Sequence, residues 1–169
     1  MLFVGTQGSV NQPETSALYA INTENGALRW YYLMGDYVGA ALLNNVAYVS
    51  SGGPSLYAFN MSTGTVLWHY KFTKLVSISN PTLTTGGTLY INVDGAYALR
   101  SDNGRVLWHK PLGADQCGYF LPSVVVDGVD YLACTDGQGN SMLYALDASN
   151  GAEYWHSTNI PQISPLTVA

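Results

Sequence analysis

A 169-residue chain with 47% apolar and only 10% charged residues is long enough to bury a core and too apolar for a disordered segment. Its net charge is −5, and its few cations (Arg29, Lys71, Lys74, Arg100, Arg105, Lys110) are scattered, so no basic stripe exists to follow a phosphate backbone and nucleic acid is not expected as a partner. No apolar run approaches the length of a membrane span.

Read in chain order, the sequence predicts short strands separated by tight turns, an all-β chain. Met1–Val4 is a first apolar strand. After a long connection, Thr6–Ser16, Leu18-Tyr19-Ala20-Ile21 reads as a half-buried strand, closed by Asn25-Gly26 and returned through Trp30. Val38–Leu43, an Asn44-Asn45 turn and Val46–Ser50 form the next hairpin, followed by Leu56–Phe59, Thr63-Gly64 and the return to Trp68. Pro81–Thr84, Gly86-Gly87 and Thr88–Asn92 repeat the scheme, with Ala96–Leu99, Asn103-Gly104 and Trp108 behind them. Pro122–Val126, Asp127-Gly128 and Val129–Cys134 begin a last unit that runs through Leu143–Leu146 and Asn150-Gly151 to Trp155.

These units are internal repeats. In each, Tyr-Ala is followed by Gly seven residues after the Tyr, and by Trp four residues after the Gly; all four Trp of the chain stand in this place. The period grows from 38 (Tyr19 to Tyr57) to 40 and then 47. Repeats of roughly 40–50 residues containing several short strands are β-propeller blades. The predicted architecture is a β-propeller of four-stranded antiparallel blades, strands A to D. Residues 1–32 supply B–D of blade 1, 38–71 blade 2, 80–110 blade 3, 121–157 blade 4, and 163–169 a strand A of the next or closing blade.

The pattern Tyr-Ala-Leu-Asp-x-x-x-Gly-x-x-x-Trp, complete in Tyr144–Trp155, resembles the tryptophan-docking motif of PQQ-like (quinoprotein-type) propeller repeats. The resemblance covers essentially the whole chain. It departs at the Asp position, which is Asn22, Asn60 and Arg100 in the first three copies. It implies that Trp30, Trp68, Trp108 and Trp155 wedge between neighbouring blades, with Gly26, Gly64, Gly104 and Gly151 at the turns. It also implies rings that are usually eight-bladed.

Blade 1 lacks a strand A. Phe3 stands where Tyr48, Tyr90 and Tyr131 stand in strand B, and Pro165 aligns with Pro81 and Pro122 of strand A. Residues 163–169 are therefore expected to pair as strand A beside Met1–Val4. That pairing could close a four-bladed ring, join two copies in an eight-bladed ring, or belong to half of a longer propeller; the eight-bladed outcome is the favoured expectation. No signal peptide is visible where Met1 leads directly into Leu2-Phe3-Val4-Gly5, and the start of the gene product is expected upstream.

A quinoprotein dehydrogenase, by the same resemblance, uses adjacent cysteines, an Asp base and calcium ligands. Cys117 and Cys134 are 17 residues apart, and no Asp or Glu matches a family catalytic position. PQQ and calcium are accordingly not expected to be required, and no catalytic residue is assigned. His69, His109 and His156 each follow the repeat Trp and read as outer-strand residues. Asp136 and Asn140, in Asp136-Gly137-Gln138-Gly139-Asn140, faintly suggest a calcium loop, but turn chemistry explains them better. Asn60-Met61-Ser62 is a glycosylation sequon at a repeat turn, read as coincidence.

Binding residues are expected on connections. Three connections are long: Thr6–Ser16, Lys110–Phe120 and Thr135–Ser141. All belong to the B–C or D–A class, which emerges on one face of an up-and-down blade. The candidate contacts there are Asp36, Tyr37, Lys74, Asp115, Gln116, Tyr119 and Phe120. Cys117 and Cys134 are candidates for a disulfide, with Leu121 predicted opposite Cys134. The expected function is a non-catalytic scaffold that binds a protein or small ligand on this face, as a homodimer or within a longer propeller. A quinoprotein dehydrogenase fragment and the sensor domain of a receptor or kinase are the alternatives. Few Lys and Glu, with many Tyr, Asn, Ser, Thr and Gly, suit an extracellular, periplasmic or cell-envelope location.

Overall fold

The structure is a computed structural model that describes residues 1–6, 16–74, 77–112, 117–136, 138–160 and 166–167. The described residues form sixteen strands in four antiparallel sheets. Blade 1 holds β1 (Leu2–Gly5), β2 (Ala17–Ile21) and β3 (Leu28–Leu33). Blade 2 holds β4 (Tyr37–Leu43), β5 (Val46–Ser51), β6 (Ser55–Asn60) and β7 (Val66–Lys71). Blade 3 holds β8 (Thr82–Leu83), β9 (Thr88–Asn92), β10 (Gly95–Arg100) and β11 (Val106–Pro111). Blade 4 holds β12 (Tyr119–Phe120), β13 (Val124–Val126), β14 (Val129–Thr135), β15 (Ser141–Asp147) and β16 (Glu153–Ile160). Among the described residues no helix is long and apolar enough to cross a membrane. The expected strand Ile163–Val168 lies mostly outside the described residues.

Turn chemistry sets the register. Asn44 and Asn45, at φ 49° and 62°, join β4 to β5, and Asp127 and Gly128, at 49° and 78°, join β13 to β14. Two consecutive left-handed residues make the hairpin turn whose twist matches that of strands. The C–D turns share another design. Asn22, Asn60 and Asp147 each accept at Oδ1 from the backbone N–H two residues on, so Asn performs the task of the motif Asp. Arg100 departs from this, turning its guanidinium to Asp102 instead, with Nε 2.9 Å from Oδ1.

The cores lie between sheets. Leu18, Val49 and Phe59 anchor the first, between blades 1 and 2; Leu56, Leu89, Ile91 and Leu99 the second; Trp108, Leu132 and Leu146 the third. Strand alternation sends one set of side chains to the preceding blade and the other to the following blade. The indole of Trp30 lies against Gly64, that of Trp68 against Gly104 and that of Trp108 against Gly151; a Cβ at any of these glycines would come within 2.6 Å of the ring. Each indole Nε1–H donates across the same gap at 2.9 Å, to the carbonyls of Met61, Ser101 and Ala148 respectively.

Strand A of blade 4 is interrupted. Phe120 pairs with Cys134, while Val124 pairs with Tyr131, so the register slips by one residue across Leu121-Pro122-Ser123. The expected opposition of Leu121 and Cys134 is thus off by one. Pro122 has no N–H for the ladder and breaks the strand where uniform counting assumed continuity.

Candidate binding face

Antiparallel order A–B–C–D places the B–C and D–A connections at the same end of every blade. Hydrogen bonds knit them together. Ser16 Oγ donates to Asp36 Oδ1 at 2.7 Å, the Gly52 N–H donates to the Asp36 carbonyl at 2.6 Å, and Ser77 Oγ donates to the Gly118 carbonyl at 3.3 Å. Cys117 and Cys134 are joined in a disulfide, with Cα atoms 5.4 Å apart, which ties the connection before blade 4 to strand β14.

The expected contact residues divide. Asp36 is exposed, and so is Tyr119 at 58%. Tyr37 is half-buried: its ring lies over Gly5 of blade 1, where a Cβ has no room, and burial pushes its phenol pKa up. It serves packing between blades at least as much as the surface. Phe120 is a correction. It is buried in the core between blades 3 and 4, because strand alternation turns it inward where it turns Tyr119 out. Asp115 and Gln116 lie outside the described residues.

Asp136 and Asn140 form a self-contained turn. Asp136 Oδ1 accepts from the N–H of Gln138 at 2.8 Å and of Asn140 at 2.9 Å, while Asn140 Nδ2 donates to Oδ2 at 2.8 Å. Those bonds hold the Asp136 carboxyl below its usual range, the Asn140 side-chain amide contributing most. The chain has no adjacent cysteines, and among the described residues no three His, Cys, Asp or Glu side chains converge.

Sequence reading missed Asp94, in the tight turn between β9 and β10. Its Oδ1 accepts from the Tyr97 hydroxyl at 2.8 Å and lies 3.4 Å from His109 Nε2; its Oδ2 lies 3.2 Å from Lys74 Nζ. His109 stacks on Tyr97 at 3.8 Å, nearly parallel. The stack itself is a repeat feature, since His69 stacks on Tyr57 and His156 lies against Tyr144. Burial alone would raise the Asp94 pKa, but the Tyr97 hydroxyl, Lys74 and His109 together hold it below the usual carboxylate value. Burial lowers His109, and Lys74 adds to that, against the opposite pull of Asp94. The result is a carboxylate satisfied from three sides, with the Lys74 ammonium standing 61% exposed above it. An acidic residue in the shortest B–C turn was the available signal.

A second missed residue is Asp130 on β14. It aligns with Ala47 and Leu89, all three fully buried, and among the described residues neither carboxylate oxygen has a hydrogen-bond partner. Burial pushes its pKa up to about 6, against a smaller opposing pull from neighbouring Ser123. On the opposite end of the blades, open grooves between blades 3 and 4 are lined by Thr88, Tyr90, Leu107, Asp147 and Tyr154.

Comparison with known proteins places this geometry. BamB from Moraxella catarrhalis superposes with a TM-score of 0.61 at 17% identity, over 94% of this chain and 61% of that one. The quinohemoprotein alcohol dehydrogenase from Comamonas testosteroni gives 0.62 at 20% identity, over 74% of this chain and 21% of that one. The computationally designed Ika8 protein gives 0.69 at 8% identity, over 98% of this chain and 50% of that one. The chain therefore spans between a fifth and about three-fifths of the length of these structures. No curated protein matches it. A family model described as outer membrane protein assembly factor BamB matches residues 2–160, and the chain belongs to this family of PQQ-like β-propeller repeats.

Proposed function

We propose that the chain is a non-catalytic propeller module that binds another protein through the face built by its B–C and D–A connections. The observation that carries this reading is the state of that face. Exposed Tyr119, Lys74 and Asp36 are presented on connections cross-linked by hydrogen bonds and by the Cys117–Cys134 disulfide. Tyr and charged groups held on a rigid frame lose little conformational freedom on binding. The family description names outer membrane protein assembly, which favours a protein as the partner over a small ligand. A structural disulfide suits an exported compartment, in keeping with an extracellular, periplasmic or envelope location.

The test is site-specific photo-crosslinking in the native host. A crosslinker at Tyr119 or Lys74 is expected to capture a defined protein, and one at Glu24, in an opposite-end turn, is not. Equal capture from both ends would overturn the face assignment. A bound quinone spectrum with dye-linked alcohol oxidation, after addition of PQQ and calcium, would overturn the non-catalytic reading.

A further inference from the structure

Asp130 stands where the junction between blades 3 and 4 can ill hold a charge. Strand alternation sends its side chain the same way as those of Leu132 and Cys134, into the core between these blades, and it is fully buried. The groups around it offer no counter-charge. From β9 comes the Tyr90 phenol, which donates to the Ala148 carbonyl at 3.0 Å. Burial first, then the Asp130 and Asp147 carboxylates, push that phenol up against a pull from Thr88, so it stays neutral from acid to neutral pH. Ser123 and Val125 beside Asp130 on strand A, and Leu146 opposite it on β15, do not titrate. Among the described residues no Lys, Arg or His forms an ion pair with it.

The strand that covers Asp130 is short and separately held. Val125 of β13 lies directly opposite Asp130 in the ladder, and β13 is only three residues long. The break at Leu121-Pro122-Ser123 cuts it off from β12, and Pro122 has no N–H to continue the ladder. Ser123 fixes one end of β13 to blade 3. Asn92 Nδ2 donates to its Oγ at 3.1 Å, and Thr82 Oγ1 donates to its carbonyl at 2.7 Å. The other end runs into the exposed Asp127-Gly128 turn. All three valines of β13 are half-buried. Beside them lies an open groove lined by Thr82, Tyr90, Val125 and Ala148. Val125 thus stands between solvent and a buried carboxyl group that has no hydrogen-bond partner among the described residues.

We propose that β13 is a pH-controlled latch: it lies closed on β14 while Asp130 is protonated, and lifts to admit water from the groove when Asp130 ionises. The closed strand disfavours the charge and the lifted strand hydrates it, so ionisation and opening favour one another. The sign follows from burial, which raises the folded-state pKa of Asp130 from 3.8 to about 6. The protonated, closed form is fully favoured below the unfolded value. That advantage is lost as pH rises to about 6 and changes little above it. Blades 2 and 3 carry Ala47 and Leu89 at the same place, so their inner strands lack this control. The inference goes beyond the binding reading and does not rest on it.

The test is amide hydrogen exchange from pH 4 to pH 8, read by mass spectrometry as protection relative to the unstructured rate at each pH. Residues 121–132 cover β13 and the part of β14 beneath it, and residues 40–49 cover the equivalent hairpin of blade 2. In the wild type, protection of 121–132 is expected to fall by roughly 50-fold between pH 4 and pH 7 and to level off above pH 7. Protection of 40–49 is expected to stay constant. Asp130→Asn cannot ionise, and Asp130→Leu supplies the side chain that blade 3 has there; both are expected to hold 121–132 protected at every pH. Constant protection of 121–132 in the wild type would overturn the proposal. So would an equal fall in both segments, which would mean global unfolding, or a fall that persists in either variant. The wild-type contrast between the two segments needs no substitution, so it decides the matter even if a variant fails to fold. No binding partner enters the measurement, which keeps its outcome separate from that of the crosslinking at Tyr119 and Lys74.

Discussion

The indole of Trp108 rests on Gly151 of the following blade, and its Nε1–H donates to the Ala148 carbonyl at 2.9 Å. One side chain thus supplies both apolar contact and a directional bond to a junction that also buries Leu132 and Leu146. Trp108→Ala should cost about 3–5 kcal/mol, the range for loss of a buried aromatic with its cavity. Trp155→Ala, at a ring that is 46% exposed, should cost less than about 1 kcal/mol, as a half-exposed residue does. Urea denaturation of the two variants checks the contrast, and a Trp108 loss below about 1 kcal/mol would contradict the junction.

Asp130 predicts a pH dependence opposite in sign to that of a paired carboxylate. Its folded-state pKa is raised, to about 6 from 3.8, because burial disfavours the charge. The native state then holds the proton more tightly than the unfolded chain. Its contribution to stability is complete below the unfolded value and is lost as pH rises through about 6. A displacement of that size corresponds to roughly 3 kcal/mol. Asp130→Asn should therefore be more stable than the wild type at pH 7, with the advantage shrinking towards pH 4. Thermal unfolding of both proteins across that interval measures it, and a constant difference would exclude ionisation of Asp130 as the cause.

The Trp–Gly junctions and Asp130 mark how far the sequence could be read. The repeat was legible because Gly and Trp recur at fixed distances from Tyr-Ala, and only an inter-blade contact needs both. Replacement of the motif Asp by Asn22 and Asn60 looked like a departure, yet Asn offers the same Oδ1 to the turn. Strand A of blade 4 was less legible, because the slip across Leu121-Pro122-Ser123 is a consequence of three-dimensional pairing. That slip also hid the burial of Phe120. Asp130 was within reach, since it interrupts a column otherwise occupied by Ala47 and Leu89. Asp94 gave only the weaker signal of an acidic residue in the shortest B–C turn, because its partners Lys74, Tyr97 and His109 come from three separate strands or connections.

The Cys117–Cys134 disulfide closes a 17-residue separation across the connection that leads into blade 4. Restricting an unfolded loop of that size contributes about 3 kcal/mol in the chain-entropy view. The double Cys117→Ser, Cys134→Ser variant should lose about 2–4 kcal/mol in denaturant. Thiol titration of the unfolded, unreduced wild type should find no free thiol; two would rule out the bridge.

The Asp94 cluster makes a prediction with two signs. His109 is pulled down by burial first and by the Lys74 charge, and pulled up by the Asp94 carboxylate. Asp94→Asn removes only the upward pull, so the His109 pKa should fall further. Lys74→Met removes a downward pull, so the His109 pKa should rise. Asp94 itself has a depressed folded-state pKa, and its stabilising contribution is present above the unfolded carboxylate value and lost as pH falls through the folded one. The stability gap between wild type and Asp94→Asn should therefore be open at neutral pH and close in acid. The chain has three His, so their ring resonances are separable by NMR titration. Movement of His109 in the same direction in both variants would mean that general loosening of the turn, and not the charge arrangement around Asp94, sets its protonation.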